Sequence, residues 1–554
     1  VELRQEVKPS RDGGIIVEYT AYNPTTNIVD FMVGNETDTM IGAQDDVPIF
    51  VTKDGLHFQN SNSDQKTVAN KGFGTVFDIK PLSMDSRGGG DPSETRFWAG
   101  RWKVNIYGKL KTEHTYWVFS QSSYGFINPG DSAAAFSAYF NLLPGEIKTA
   151  SFEISMLPAV IYVDPNAPDG GTGFMGSPVN SISAAMNVIK DIEYTSKAYI
   201  YLQGNVNVDD TITVPEDKQV TITTADFKGT AGMDASVGYR NTIPDPVTTK
   251  AIITRNPTKA DTSPNTGAMF ELAHSTSGLA FQNVTVDGNA ANVTATAPIV
   301  DATAGTVKIL SDATLTNNKV SGDGASAIKV GGSAVLSLDG DNSNITKNFS
   351  TGSGSAVMID SSADHPVTLN RGASITGNTS DEAATATAPS AKNPATGKLP
   401  GTVKNGNLKL GAKPLWVKSG DKYTGKVGIN LDSANLPQTS EQATYIVDYE
   451  DRTSGGALPY STSNFDPDGD GQHIVNATTA DPATPVGSAT GNQIAGALYL
   501  KTDMYDLSVT YQLPDGSSAS FASMSWPGGG TNHVNTNPYL ASLSAGKEID
   551  LAMP

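Results

Sequence analysis

The sequence predicts an all-β protein: a right-handed parallel β-helix with an N-terminal β-sandwich and a small C-terminal β region. Three observations carry this. Turn-forming residues are abundant, with 55 glycines and 31 prolines among 554 residues, the punctuation of many short strands. A pattern recurs near every 30 residues. Val286-Asp287-Gly288-Asn289, Leu315-Thr316-Asn317-Asn318, Ile345-Thr346-Lys347-Asn348 and Ile375-Thr376-Gly377-Asn378 have their last Asn 29, 30 and 30 residues apart in turn. Each period also holds three short runs of strand-forming residues and no helical pattern, which excludes most helical repeat families.

Residues 1–158 read as the sandwich. Gly14–Tyr19 and Ile28–Val33 alternate weakly, and Lys53-Asp54-Gly55 is a turn signal between such runs. Aromatic residues crowd the stretch from Phe97 to Phe140, the expected source of core area in a β-sandwich. Trp98, Trp102 and Trp117 lie in this stretch. If they face outward they are candidate ligand-binding residues that would stack on a sugar.

Residues 159–435 read as the β-helix. Ile161–Pro165 and the Gly-rich turn Asp169–Gly173 precede an amphipathic segment over about 177–195, with Ile182, Ala185, Met186, Ile189 and Ile192 on one stripe. A helix here would plug the end of the solenoid, because an uncovered first coil exposes apolar core and unpaired backbone. One coil strand recurs as Phe270–Leu272, Ile299–Asp301, Ala327–Val330 and Ala356–Ile359. A second recurs as Leu279–Phe281, Val307–Leu310, Val335–Leu338 and Val367–Leu369. The recurrent Asn is expected at a corner, where it tolerates left-handed backbone and can stack its amide on the next coil. Thr224–Lys250 and Asp381–Gly401 interrupt the pattern and read as long loops on a rigid scaffold, where binding sites concentrate. Residues 436–554 lose the spacing and read as a C-terminal β domain or cap, with Tyr505–Leu513 and Ala519–Ser525 expected to pair as a hairpin.

The net charge of −19 excludes the nucleic-acid binders, which must neutralise phosphate, and disfavours docking on anionic lipid. There is no cysteine, hence no disulfide, thiolate metal site or cysteine nucleophile. No apolar run reaches the length of a transmembrane helix.

Asp466-Pro467-Asp468-Gly469-Asp470-Gly471 sets oxygens at alternate positions before a glycine, the spacing of a calcium loop. The twelfth position is Ala477 rather than Glu, so the pattern is half met, and calcium at Asp466, Asp468 and Asp470 stands against a solvated acidic turn. Asp287, Asp323, Asp339 and Asp341 sit in Gly- or Asn-rich corners and read as turn residues. No Gly-x-Ser-x-Gly elbow occurs, and the six histidines are scattered without metal-ligand spacing. No catalytic residue is assigned.

Trp98-Ala99-Gly100, Gly130-Asp131-Ser132-Ala133, Leu143-Pro144-Gly145-Glu146 and the strand Thr149–Ile154 resemble an N-terminal β-sandwich domain of Firmicutes surface proteins. The repeats, with Gly324-Ala325-Ser326-Ala327-Ile328 and Gly354-Ser355-Ala356-Val357 beside the Ile-Thr-x-Asn segments, resemble the pectate-lyase-like β-helix repeats of Gram-positive adhesins. The resemblance implies an extracellular binding protein, attached to the cell wall through sequence outside this chain. It would present the helix to a host or matrix glycan, matrix protein or immunoglobulin. A carbohydrate-active β-helix enzyme, hydrolase or lyase, is the alternative, and a purely structural stalk the third reading.

Overall fold

The computed structural model describes the chain except for residues 11–13, 53–54, 85–94, 102–124, 128–130, 229–244, 361–365, 382–402, 412, 419–421, 432–434, 438–441, 450–457, 470–471, 477–483, 487–496, 503, 510–522, 526–538, 545–549 and 553–554. The fold is all-β with large parallel sheets, and it forms two units. One comprises residues 1–208 and 214–253, the other 209–213 and 254–554.

In the first unit, strands β1 (Glu2–Pro9), β2 (Ile15–Tyr22), β3 (Val29–Asp38), β4 (Ile49–Thr52), β5 (Gly55–Gln59), β6 (Val76–Met84), β7 (Thr95–Arg101), β8 (Gly125–Ile127), β9 (Ser132–Leu142) and β10 (Ile147–Leu157) form an antiparallel sandwich. One sheet runs β1-β2-β10-β6-β5-β4-β8 and the other β3-β9-β7. Alternation decides which side chains enter. Phe97, Phe136, Phe140 and Phe152 are buried between the sheets, and the Phe136 and Phe152 ring centroids are 4.7 Å apart. Phe97, Phe136 and Phe140 of the aromatic run are therefore core, while Trp98 and Tyr139 are half-buried. Leu143-Pro144-Gly145-Glu146 joins β9 to β10. Gly145 has φ +76 and Glu146 N–H donates to the Leu143 carbonyl at 3.0 Å. Proline followed by left-handed glycine is what a type II turn requires.

The chain then turns parallel. Strand β11 (Val160–Val163) pairs in parallel with β12 (Lys197–Leu202), which pairs with Gln219–Thr224. Between them lies the single α-helix among the described residues, Ile182–Lys190, shorter than the expected 177–195. Val179 exchanges backbone hydrogen bonds with Tyr162 and Asp164, so Ser177–Val179 is tied to a strand and cannot be helical. Ser181 is the N-cap, its hydroxyl accepting from Ala184 N–H at 3.2 Å, and Ile182, Ala185, Met186 and Ile189 are buried.

In the second unit the coils between Val300 and Asp381 each contribute four strands, the three expected and a short fourth at Lys319–Val320, Phe349–Ser350 and Thr379–Asp381. Buried residues stack in register from coil to coil, each file drawn from the same position of the repeat. One file is Phe270, Val300, Ile328, Val357 and Leu408. A second is Phe281, Ile309, Leu338, Leu369 and Val417. A third is Val286, Leu315, Ile345, Ile375 and Val427. All fifteen side chains are fully buried, each stabilising the coil by about 1.5–3 kcal/mol relative to exposure. Beyond residue 436, Gln442–Tyr449 continues the second strand series and pairs antiparallel with Leu498–Thr502, which pairs with Gln472–Asn476. Residues 510–522 of the expected hairpin lie outside the described residues, and its described ends have other partners. Met504–Val509 pairs with Tyr539–Ser544, and Ser523–Ser525 with Asp550–Ala552. Alternation marks a strand but does not choose its partner, and here distant segments supply it.

The recurrent Asn does more than turn a corner. The left-handed residues are Asn317 and Lys347, with Gly377 in the third coil, each one position before the recurrent amide. Asn318, Asn348 and Asn378 themselves are wholly buried. Asn318 N–H donates to Asn348 Oδ1 at 3.1 Å, Asn348 N–H to Asn378 Oδ1 at 2.9 Å, and Asn378 N–H to Asn407 Oδ1 at 3.0 Å. Asn289 is not a rung. It takes the left-handed corner itself, and Gly288 stands beside Asn318, where a Cβ would lie 2.3 Å from that of Asn318.

Candidate functional site

The asparagine file ends on a carboxylate. Asn407 donates its backbone N–H to Asp468 Oδ2 at 2.8 Å and its Nδ2 to Oδ1 at 2.7 Å. Gly428 lies alongside, and a Cβ there would sit 2.3 Å from Asn407 Nδ2 and 2.4 Å from Asp468 Oδ1. Only glycine leaves room for that junction. Asp468 thus replaces the next asparagine as the final acceptor of a one-directional chain of amides. Every rung points its backbone N–H toward it, joined by the Nδ2 of Asn348, Asn378 and Asn407, and such chains polarise cooperatively. Of the other residues in this acidic stretch, Asp466 is an exposed member of the short strand Phe465–Pro467, and Asp470 lies outside the described residues.

Among the described residues, one group of carboxylates stands close enough to share a cation: Asp38, Asp45 and Asp131, whose oxygens lie within 4.8 Å of one another. The turn aspartates of the coils have local partners. Asp287 Oδ1 accepts from Asn289 N–H at 2.7 Å and Asn317 Nδ2 at 2.8 Å. Asp323 accepts from Ser353 at 2.8 Å, and Asp339 from Lys418 at 2.7 Å and Asn370 at 2.9 Å. These carboxylates bind coil to coil. Of the tryptophans, Trp98 is half-buried, on the opposite side of its strand from Phe97, with its ring over Gly100. Trp102 and Trp117 lie outside the described residues.

The two interruptions of the solenoid share a construction. Phe227–Lys228 pairs antiparallel with Asp245–Pro246, bracketing residues 229–244. Thr379–Asp381 pairs antiparallel with Val403–Asn405, bracketing 382–402. In a parallel solenoid an antiparallel pair marks a segment that leaves the coil and returns beside itself. Each insertion is therefore launched from a paired stem. Most of both loops, 229–244 and 382–401, lies outside the described residues.

The stem at 227–246 stands on a buried polar cluster of the first unit. In β5 and β6, His57 and Asp78 are directly opposed, and His57 Nδ1 meets Asp78 Oδ1 at 2.6 Å. Tyr162 of β11 reaches His57 Nε2 at 3.2 Å. His57 Nδ1–H donates to Asp78, and Nε2 shares a hydrogen bond with the Tyr162 hydroxyl, so all three groups have partners. Burial alone would raise Asp78, but the charge and hydrogen bond of His57, with Lys80, hold it below the usual carboxylate range. Burial pushes the Tyr162 hydroxyl well up, so it stays protonated. Lys80 Nζ binds Asp226 at 2.9 Å, Lys228 binds Asp164 at 3.2 Å, and Gln203 Nε2 donates to the Phe227 carbonyl at 3.4 Å.

Tyr, His and Asp in this order resemble a nucleophile, a base and its orienting acid. The cavity bordered by His57, Asp78, Tyr162 and Tyr201 measures about 10 Å³, room for about one water. A substrate does not fit it, and the buried tyrosine is not activated. The cluster clamps strands β5 and β6 to the first coil and holds the base of the first insertion. Sequence spacing gave no sign of it, because its members lie on three strands and meet only through pairing. Comparison with protein-family models, curated proteins and solved structures yields no match.

Proposed function

We propose that the chain is an extracellular, cell-surface binding protein of adhesin type, in which the β-helix is a rigid carrier and the two stemmed insertions are the binding arms. The observation that carries this reading is the pair of antiparallel stems at Phe227–Pro246 and Thr379–Asn405. A loop with paired ends loses less conformational freedom on binding than a free one, and binding residues concentrate on loops held by a rigid frame. The first arm also stands on the ionic clamps Lys80–Asp226 and Lys228–Asp164. Its sequence carries Tyr239 and Arg240, residue types that dominate interface hot spots. The partner class is a host or matrix glycan or glycoprotein.

The test is a screen of the whole chain against arrayed glycans and extracellular matrix proteins, with and without chelator. A companion protein has residues 230–243 and 383–401 each replaced by a short glycine turn. Saturable binding to one ligand class by the parent, lost in the companion at unchanged melting temperature, is the expected result. Equal binding by both proteins, or none by the parent, overturns it.

A further inference from the structure

Strand β1 is the outermost strand of the larger sandwich sheet, and its outer edge has no partner strand among the described residues. Opposite β2, Leu3 faces Ala21, Gln5 faces Tyr19 and Val7 faces Val17. Those three β2 residues are buried, so Leu3, Gln5 and Val7 share the core-facing side of the sheet. Yet Leu3 is 48% exposed and Val7 58% exposed. The other side of the strand carries Glu2, Arg4, Glu6 and Lys8. An eight-residue edge with an open apolar face is a template for strand addition.

The order of residues along β1 names the strand that fits. Reading Glu2-Leu3-Arg4-Gln5-Glu6-Val7-Lys8 against its own reverse, centred on Gln5, sets Glu2 opposite Lys8, Leu3 opposite Val7 and Arg4 opposite Glu6. Every charge meets its opposite and every apolar residue an apolar one. Directly opposed residues of an antiparallel pair share one side of the sheet. Partners in this register are both odd-numbered or both even-numbered. The apolar sides of the two copies therefore fall on the same face, and the outward backbone groups match.

We propose that β1 is a homodimerisation edge: two copies of this chain join β1 to β1 antiparallel about a two-fold axis through Gln5. The two seven-stranded sheets become one continuous sheet. The arrangement is isologous, so it closes at two copies and does not propagate. In the single chain Arg4 and Lys8 rest on Glu6 and Glu18, contacts on an exposed surface that exchange readily for cross-strand ones. A single edge pair falls below the roughly 1,000 Å² of a stable interface, so the dimer is weak, with a dissociation constant of roughly 10 µM.

Sedimentation velocity of the full chain across a concentration series, at low and high salt, reads the association. Two charge reversals test the register. In Arg4→Glu, residue 4 meets Glu6 of the second copy as a like charge, twice by symmetry. In Glu6→Arg, residue 6 meets Arg4 likewise. Each variant alone is expected to associate about tenfold more weakly or worse. Mixed one to one they are fully complementary, and a heterodimer of parental affinity forms. The chain has no cysteine, so Gln5→Cys supplies a lone thiol at the axis, expected to oxidise to a covalent dimer far faster than Val68→Cys, at a site 68% exposed. A parent that stays monomeric, single variants that associate like the parent, or a mixture that fails to recover each overturns the proposal.

Discussion

Asp468 shows how one residue can close a structure built by repetition. Three rungs of the amide file each serve as acceptor for the coil before and donor to the coil after. The file must stop somewhere, and a buried donor left without an acceptor costs about 1–3 kcal/mol. The carboxylate stops it by accepting twice and passing nothing on. At the opposite end the cost is carried by an acceptor instead: Asn318 Oδ1 is buried without a partner beside Gly288. An unmet carbonyl oxygen is the better tolerated of the two. Asp468→Ala strands both donors of Asn407, and we expect it to destabilise the surrounding coils by about 2–4 kcal/mol. Asp468→Asn should cost under about 1 kcal/mol, because an amide oxygen accepts both donors elsewhere in the file, as Asn378 Oδ1 does from Asn348 at 2.9 and 3.0 Å. Hydrogen exchange at the Asn407 and Asn378 amides separates the two variants. If both variants behave alike, geometry at this junction matters less than the hydrogen-bond count implies. The period itself pointed here. Asn407 lies 29 residues after Asn378, and Asp468 lies 61 after Asn407, about two periods. The Ile-Thr-x-Asn motif hid both, since neither follows such a strand.

At the scale of elements, the His57–Asp78 pair joins β5 to β6, and Tyr162 joins them to β11. Asp78 is held low in the folded chain. A carboxylate whose folded value is depressed contributes stability that is fully present above its unfolded value, near 3.9, and lost as pH falls through the lower folded value. We therefore expect the first unit to lose stability below about pH 4. Asp78→Asn should flatten that acid limb and cost about 3 kcal/mol at neutral pH, the usual penalty for removing one partner of a buried pair. Circular dichroism melts between neutrality and acid check both statements, and an acid limb unchanged in the variant would assign it to other carboxylates. The elements were unevenly legible. Repetition announced the coil strands, because a buried file such as Val286, Leu315, Ile345 and Ile375 must recur at the coil period. The helix was announced by its stripe, though the expected start near 177 lies ahead of the observed one at Ile182. The clamp was silent, because His57, Asp78 and Tyr162 belong to no local pattern. Partner choice was silent too, as where 504–509 pairs with the distant 539–544.

At the scale of the molecule, the composition changes near residue 158, where antiparallel strands give way to coils. The packing does not change there. Phe50 and Val76 of the sandwich share one buried cluster with Val160, Tyr162, Phe174, Met175 and Ala225 of the first coils. The Phe50 and Phe174 ring centroids are 5.8 Å apart. A sandwich that ended at 158 would expose Phe50 and Val76, each now at most 1% exposed. The physical boundary of the sandwich is therefore shared, and the two architectures of the first unit should open together. Phe50→Ala in the full chain tests this. It removes a buried ring at the seam, at a cost of about 3–5 kcal/mol. In a single cooperative unit that loss is felt throughout. Native-state hydrogen exchange should then accelerate alike at Tyr19, on the far side of the sandwich, and at Ile200, in the coil strand β12. Both residues are buried strand positions. Acceleration at Tyr19 alone would mean that the coils hold without the sandwich, and would move the folding boundary back to the change in composition. Acceleration at both would make the seam, with its aromatic cluster and its Tyr162–His57–Asp78 clamp, the element that turns a sandwich and a solenoid into one support for the first arm.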